Sequence, residues 1–426
     1  MLDKLKRSRS KISLTPEGWI FLVILVFVTV GAILRNVNLL VIMSGMMFAP
    51  LMLGWRIGSH MVRHTEARRL VPQRIHVGKL VNFQWMIRNR SRLPMWNFGV
   101  RDDMRCVASP WTQESAKLKK STFNRSQLTF RRVSIGEAEY SSYQCLFMDR
   151  GLYEVGPAVV SSRFPFGLIK AWFRLANREA FYVAPRLGRL RPAWERRIAS
   201  HVVGAESALR RRGLDDEEFY ALRTWRSGDS RRQIHWRTTA KANELMVKQF
   251  DQKTNRDMAI VLDLFSSSDS GAIQEQEQLA DCERVLSFAA TLMLQGSQEI
   301  RGKIGFAVVG QESYMDVDLN GDELLVRLMR ELSVARATRN PQVSPAILQL
   351  HAGVAVATPI FVISSRPCPE QLLAEQIGTQ RWRSLRTDLH WLTVGTPEFD
   401  QIFLSDEESD REVLNFLKGE VSDAST

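Results

Sequence analysis

Apolar positions are spread unevenly along this chain, and three regimes follow one another. Near the start, Gly18 to Leu34 (GWIFLVILVFVTVGAIL) carries no charge. After Arg35 and Asn36, Val37 to Trp55 (VNLLVIMSGMMFAPLMLGW) is again uncharged. At roughly 1.5 Å per residue, each run is about long enough to cross a bilayer as a helix. An ionised side chain at the centre of either would cost about 2.5–3.5 kcal/mol on insertion, and neither run contains one. The short turn between them predicts a tight helical hairpin. A cleaved signal peptide would have a shorter apolar stretch and no second span directly behind it. A buried soluble hairpin is the remaining alternative. Trp19 and Trp55 lie near the outer ends, where an interfacial aromatic belt belongs. Pro50 is compatible with a span, because neighbours can satisfy the carbonyl it frees.

From about Val71 to Pro185 the pattern shortens. Leu80 to Ile87 (LVNFQWMI), Leu128 to Val133 and Gly156 to Ser161 are short alternating stretches. Turn residues such as Asn89-Arg90-Ser91 and Arg163-Phe164-Pro165-Phe166-Gly167 separate them. Frequent turns between short strands predict an all-β sandwich. Phe83, Trp85, Trp96, Phe98, Tyr153 and Phe166 are then its core and rim, and the Pro165–Gly167 stretch is a structural turn.

Beyond residue 257 strand and helix patterns alternate. Ala259–Phe265, Lys303–Gly310, Pro359–Ser365 and Leu389–Val394 read as strands; Gln276–Leu294, Asp322–Ala335 and Pro369–Ile377 read as helices. Such alternation makes a parallel sheet covered on both faces. Ligands of such sheets bind at the carboxyl ends of the strands, which directs attention to Asp263 and the serines after it.

Composition refines this picture. A length of 426 residues suggests two or three domains, and 45% apolar with 24% charged residues excludes a mostly disordered chain. Cys106, Cys145, Cys282 and Cys368 are too scattered for a disulfide framework or a zinc signature. The net charge is +12. Lys4, Lys6, Arg7, Arg9 and Lys11 precede the first span, and Arg56, Arg63, Arg68 and Arg69 follow the second, whereas the turn offers only Arg35. Basic outer flanks predict two spans in the inner (cytoplasmic) membrane with both termini cytoplasmic. That topology makes the acceptor triplets at Asn89 and Asn124 coincidental. His60 and His64 share a helix face but lack the glutamate of a zinc-protease motif, so they read as a juxtamembrane surface pair.

The expected organisation is a basic N-terminus (1–17), two spans (18–55), a juxtamembrane segment (56–70), a β-sandwich-like domain (71–185), a basic connector (186–256), an α/β domain (257–404) and an acidic tail (405–426). Arg186 to Lys248 holds fifteen Lys and Arg against eight Asp and Glu. Its arginines could track a phosphate backbone, pair with Asp215–Glu218 in a charge-paired hinge, or dock an acidic partner protein. The hinge and docking readings are preferred over nucleic acid, since acids offset half the bases and no nucleic-acid fold signature accompanies them. His235 could serve as an acid–base group, but a hydrogen-bonded structural histidine is the preferred reading.

Within this connector, Ser227-Gly228-Asp229, Arg231-Arg232-Gln233-Ile234-His235-Trp236 and Thr239-Ala240-Lys241 resemble the signature of a bacterial family catalogued as domain of unknown function fifty-eight. Arg150-Gly151-Leu152-Tyr153-Glu154-Val155-Gly156-Pro157 and Phe164-Pro165-Phe166-Gly167-Leu168 resemble that family's second recurring stretch. The resemblance implies a membrane-tethered protein with a von Willebrand factor type A-like region, no established catalytic activity, and a MoxR-type AAA+ ATPase as partner; other type A-domain proteins are further candidate partners. It makes Gly228, Asp229, Arg231, Arg232, His235, Trp236 and Lys241 the family signature or docking residues. Type A domains hold magnesium with Asp-x-Ser-x-Ser plus a later threonine and aspartate. Here Asp263-Leu264-Phe265-Ser266-Ser267 keeps Asp263 and Ser267 but places Phe265 at the first serine, and Ser364-Ser365-Arg366 stands where the later aspartate would. Such a degenerate magnesium site should hold a hard cation poorly, so no resident cofactor is expected.

Gly296 to Ile304 imitates a phosphate-binding loop but has the wrong spacing, lacks Ser or Thr after Lys303, and precedes a strand rather than following one, so ATP binding by this chain is not expected. The combined reading is a membrane-anchored cytoplasmic scaffold or adaptor in contact with the lipid bilayer and partner proteins. Two rival readings are a hydrolase or nuclease using Asp229, His235 and Asp263, and a nucleic-acid-binding membrane protein. The first requires those three side chains to converge in one cleft.

Overall fold

A computed structural model describes residues 8–35, 37–108, 127–194, 196–197, 218–226, 229, 231, 234–251, 258–267, 271–296, 304–319, 322–354 and 358–405. Asn124, the Arg210–Arg212 and Asp215–Glu217 runs, Gly228, Arg232, most of the phosphate-loop mimic and the acidic tail lie outside these residues. The chain divides into two units between Arg186 and Leu187.

The first unit begins with a strand, β1 (Lys11–Leu14), followed by helices α1 (Pro16–Arg35) and α2 (Asn38–Arg63). Thr15 starts α1: its Oγ1 accepts the N–H of Gly18 at 3.0 Å, and Pro16 occupies the first turn, where no N–H is needed. The apolar runs therefore do form helices long enough to cross a membrane. Their side chains are not a buried core: Ile20, Val23, Phe27, Leu34, Leu39 and Met46 are 63–81% exposed. Such open apolar surface is unlike that of a buried core helix and consistent with a lipid-like solvent. Helix α2 passes through Pro50 without a break and continues beyond Trp55 to Arg63.

The rest of this unit is β-rich. Strands β2 (Thr65–Leu70), β3 (Leu80–Asn89), β4 (Met95–Arg101), β5 (Met104–Ala108), β6 (Gln127–Val133), β7 (Ala138–Leu146), β8 (Gly151–Val155), β9 (Ala158–Ser162), β10 (Ile169–Leu175) and β11 (Glu179–Val183) form three antiparallel sheets. Their orders are β1-β10-β9-β4-β6, β2-β3-β7 and β11-β8-β5. Trp85 and Ile87 of β3 share one core with Phe98, Phe130, Val160 and Phe173 from the five-stranded sheet. Phe83, Phe147, Tyr153 and Phe181 build a second. Along β3 burial alternates over its whole length, the period-two signal that predicted it.

Two features of this unit lay beyond sequence periodicity. Residues 11–14 fall in the expected basic N-terminus, yet they pair with Ile169–Trp172 of β10. The last turns of α2 enter the β core, where Met61 and Val62 are 1% and 0% exposed. Gly58 permits this close approach: a Cβ there would stand 3.3 Å from Ala171.

The second unit opens with β12 (Gly188–Leu190), and Trp194 packs at 5.3 Å from Phe288 and 5.0 Å from Phe361. A hairpin follows, made of β13 (Glu218–Thr224), the short helix α3 (Trp236–Ala242) and β14 (Met246–Asp251). Then come β15 (Met258–Asp263), α4 (Gly271–Gly296), β16 (Ile304–Val309), β17 (Tyr314–Leu319), α5 (Asp322–Val334), α6 (Val343–Gly353), β18 (Ile360–Ser364), α7 (Glu370–Ile377), α8 (Thr379–Leu385), β19 (Leu389–Thr393), α9 (Pro397–Asp400) and β20 (Phe403–Ser405). The sheet order is β17-β16-β15-β18-β19. β15 pairs parallel with β16 and β18, β18 parallel with β19, and β17 closes the edge antiparallel. Successive residues of β15 face opposite cores, Ile260 and Leu262 on one side and Ala259 and Val261 on the other. Every residue of β15 is buried, as an uninterrupted apolar run between two helical layers requires.

Candidate functional site

Two clusters in the second unit carry the polar side chains that the sequence singled out. The first is the signature hairpin. Arg223, at the end of β13, holds Asp229 bidentately, with Nη1–Oδ2 and Nη2–Oδ1 distances of 2.7 and 2.6 Å. Asp229 Oδ2 also accepts the N–H of Arg226 at 2.8 Å. These bonds, the guanidinium's above all, hold the Asp229 carboxyl below its ordinary range. The carboxylate thereby folds the turn after β13 back on itself.

His235 serves the same local purpose at the next corner. Its N–H donates to Met246 O at 2.8 Å, tying the turn to β14. Its Nδ1 lies 2.8 Å from Thr238 Oγ1 and accepts the N–H of Thr238 at 3.3 Å, so the imidazole caps α3. Helix α3 ends at Asn243 in a left-handed conformation (φ 54°), which asparagine tolerates. Arg231, Trp236 and Lys241 are exposed, Trp236 by 67%.

The second cluster sits at the carboxyl ends of the central strands. Asp263, the last residue of β15, is fully buried. Its Oδ2 accepts from Ser364 Oγ at 2.8 Å and from Arg366 Nε at 3.0 Å. Its Oδ1 is buried without a hydrogen-bond partner among the described residues. Burial raises the Asp263 carboxyl above its ordinary value, outweighing the opposing pull of Arg366 and Ser364. Arg366 is fixed from several sides: its guanidinium stacks 4.4 Å from the Phe265 ring, its N–H donates to Ser364 Oγ, and its carbonyl accepts from Trp391 Nε1 at 3.1 Å. Phe265 is thus the platform for the arginine.

The donor set does not fit a magnesium ion. The guanidinium already stands beside Oδ2 at 3.0 Å, and Ser267 is turned to Gln278, whose Oε1 accepts its N–H at 2.7 Å. A hard cation needs several oxygens at about 2.0–2.6 Å. Burial also pushes the thiol of Cys368, two residues past Arg366, up to about 11, which leaves it protonated at neutral pH.

Asp229, His235 and Asp263 are therefore engaged by three separate sets of neighbours. No hydrogen bond among the described residues joins any two of them. The sequence anticipated a structural role for His235 and an arginine near Asp263. It did not reveal Arg223 as the partner of Asp229, six residues away, nor Gln278 as the partner of Ser267, eleven away. Each is a local side-chain bond that apolar periodicity does not report.

Residues 221–380 match a family model described as "Protein of unknown function DUF58". A relative from Bacillus subtilis (strain 168), "Uncharacterized protein YeaD", is 21% identical over 271 residues, which cover 63% of this chain and 62% of that protein. Among solved structures, the CARDB domain of PF1109 from Pyrococcus furiosus is similar over 28% of this chain and 92% of its own, with 11% identity and a TM-score of 0.18. A β-glucosidase from Listeria innocua is similar over 28% of this chain and 15% of its own, with 12% identity and the same TM-score. At that score these structural likenesses say nothing about chemistry. Arg223, Asp229 and His235 of the signature hairpin, and Asp263, Ser364 and Arg366 of the second cluster, all fall within the segment that is similar to the DUF58 family.

Proposed function

We propose that this protein is a membrane-anchored scaffold or adaptor whose second unit docks partner proteins, with a MoxR-type AAA+ ATPase as the principal partner. One observation carries the reading: the polar side chains that could do chemistry are spent on structure, while the signature's Arg231, Trp236 and Lys241 are left exposed. An exposed tryptophan flanked by basic side chains suits an acidic, partly apolar protein surface. The type A-like reading of the second unit is supported by its strand order, with an antiparallel edge strand beside parallel neighbours and Asp263 closing the central strand. In this chain Arg366 would replace the metal of such a domain.

Placement in the inner membrane with both termini cytoplasmic is supported by the basic outer flanks and by the fold. Residues just before α1 and the final turns of α2 both pack on β10, so the two outer ends of the hairpin lie on one side of a bilayer.

The test is capture of a purified MoxR-type ATPase by the full-length protein in detergent, comparing wild type with Trp236→Ala/Lys241→Glu. The wild type should retain the ATPase and the double variant should lose it. No retention by wild type, with or without nucleotide, overturns the proposal.

A further inference from the structure

The loop between β9 and β10, Arg163 to Leu168, lies against the roots of both apolar helices. Thr15 Oγ1 donates to Gly167 O at 2.7 Å, and Thr15 N–H donates to Leu168 O at 3.0 Å. Gly18, in the first turn of α1, is in such close contact with the loop that a Cβ there would collide with the Leu168 carbonyl. On the other helix, a Cβ at Gly54 would stand 3.7 Å from Ile169, and one at Gly58 would stand 3.9 Å from the Phe164 carbonyl. The loop is thus pinned where the membrane-spanning segments would leave the bilayer.

The side chains at this level have the chemistry of a bilayer interface. Phe166 is 54% exposed at the tip of the loop, beside helices whose own end residues Trp19 and Trp55 are 59% and 55% exposed. Arg56 and Arg163 are exposed, and Lys170 is half-buried near Arg163 and Arg101. Lys11 lies 5.6 Å from the Trp172 ring. Glu17 lies within electrostatic reach of Arg163. Aromatic side chains with a basic surround are what headgroup and upper acyl regions accept.

We infer that the Arg163–Leu168 loop is a third membrane contact, with Phe166 inserted at the interface and Arg163 and Lys170 binding the phosphates of anionic phospholipids. This rests on the reading of α1 and α2 as membrane spans. The loop's turn then has a purpose beyond closing a hairpin: it holds an aromatic side chain in a loop that touches Gly18, next to Trp19, and Gly58, one turn from Trp55, so that the β-rich body sits against the bilayer at three points.

The test uses full-length protein reconstituted in vesicles of phosphatidylglycerol and phosphatidylethanolamine, with a photo-crosslinking amino acid placed singly at positions 19, 166 or 135. Ile135, 56% exposed in the turn between β6 and β7, is the control position outside the loop and both helices. Lipid adducts are expected at 19 and 166 and not at 135. The Arg163→Gln/Lys170→Gln variant should lose its enrichment of bound phosphatidylglycerol over phosphatidylethanolamine by about fivefold per residue, or about thirtyfold together. Adducts at 19 without adducts at 166, or unchanged enrichment in the double variant, overturn the loop's role alone. Absence of adducts at 19 overturns the membrane-span reading itself.

Discussion

Arg69 and Asp102 form a bidentate ion pair inside the β-rich unit, with side chains only 4% and 2% exposed and N–O distances of 2.6 and 2.9 Å. Asp102 Oδ2 also accepts from Trp85 Nε1 at 3.2 Å and Tyr143 Oη at 3.0 Å, while the Arg69 guanidinium stacks 4.9 Å from Trp85 and donates to Val155 O. The pair joins β2, β3, β7 and β8 with the loop after β4. Removing one partner leaves a buried charge facing unmatched donors. Asp102→Ala should therefore cost about 3–5 kcal/mol of stability. Arg69→Met/Asp102→Leu should cost distinctly less than Asp102→Ala alone. Thermal unfolding in detergent checks both, and equal losses for the two would show that the charge pairing is not what matters.

Gly18 is required for contact and Gly31 is not. A methyl at Gly18 meets the Leu168 backbone, whereas Gly31 has nothing within 4 Å of its Cβ position. Gly18→Ala should destabilise the junction of α1 with the loop by about 1–3 kcal/mol. Gly31→Ala should be neutral or slightly stabilising, since alanine is the better helix former. Limited proteolysis of residues 11–18 in detergent separates the two.

Arg366 and Asp263 give a pH signature. The Asp263 carboxyl is raised in the folded state above its ordinary value of 3.8. A raised folded value means that Asp263 contributes most below that ordinary value and loses its contribution as pH rises through the folded one. Removing the guanidinium in Arg366→Gln raises the folded value further. The variant should therefore weaken progressively as pH climbs from the ordinary carboxylate range toward neutrality, where the deficit reaches about 3–5 kcal/mol. Asp263→Asn/Arg366→Gln should abolish the slope. Melting curves across that range decide it; parallel profiles for wild type and Arg366→Gln would contradict the coupling.

Divalent cations should leave the wild-type melting temperature unmoved, because Arg366 already stands beside Asp263 Oδ2. Titration with magnesium or manganese, against a chelator control, checks this. A saturable stabilisation by either ion would show that the guanidinium yields its place.

Trp236→Ala and Lys241→Glu should each change folding stability by no more than about 0.5 kcal/mol, as substitutions of exposed side chains outside the core do. Calorimetry of the variants checks that any loss of partner capture reflects the surface and not the fold. A large loss of stability would instead assign Trp236 a structural role.

Much of the architecture was legible because hydrophobic periodicity reports burial. The uncharged runs 18–34 and 37–55 became helices, the alternation of Leu80–Ile87 became β3, and the apolar run Ala259–Phe265 became the central strand β15. Edge strand β17, with Asp316 and Asp318 among its residues, has no continuous apolar run and was not read. Strand β1 escaped for a related reason: four residues with a lysine at their head look like the end of a charged tail until β10 supplies their backbone partners.

By itself, the order of apolar and charged residues determined two helices long and apolar enough to cross a membrane, the β-rich and α/β halves, and a signature carried by Asp229, Arg231, His235 and Trp236, because each depends on composition or on spacing along the chain. Only the tertiary structure decided what the polar groups do. Asp263 meets Arg366 across 103 residues and Asp102 meets Arg69 across 33, and a buried carboxylate takes its charge state and its role from whichever neighbour the fold brings to it.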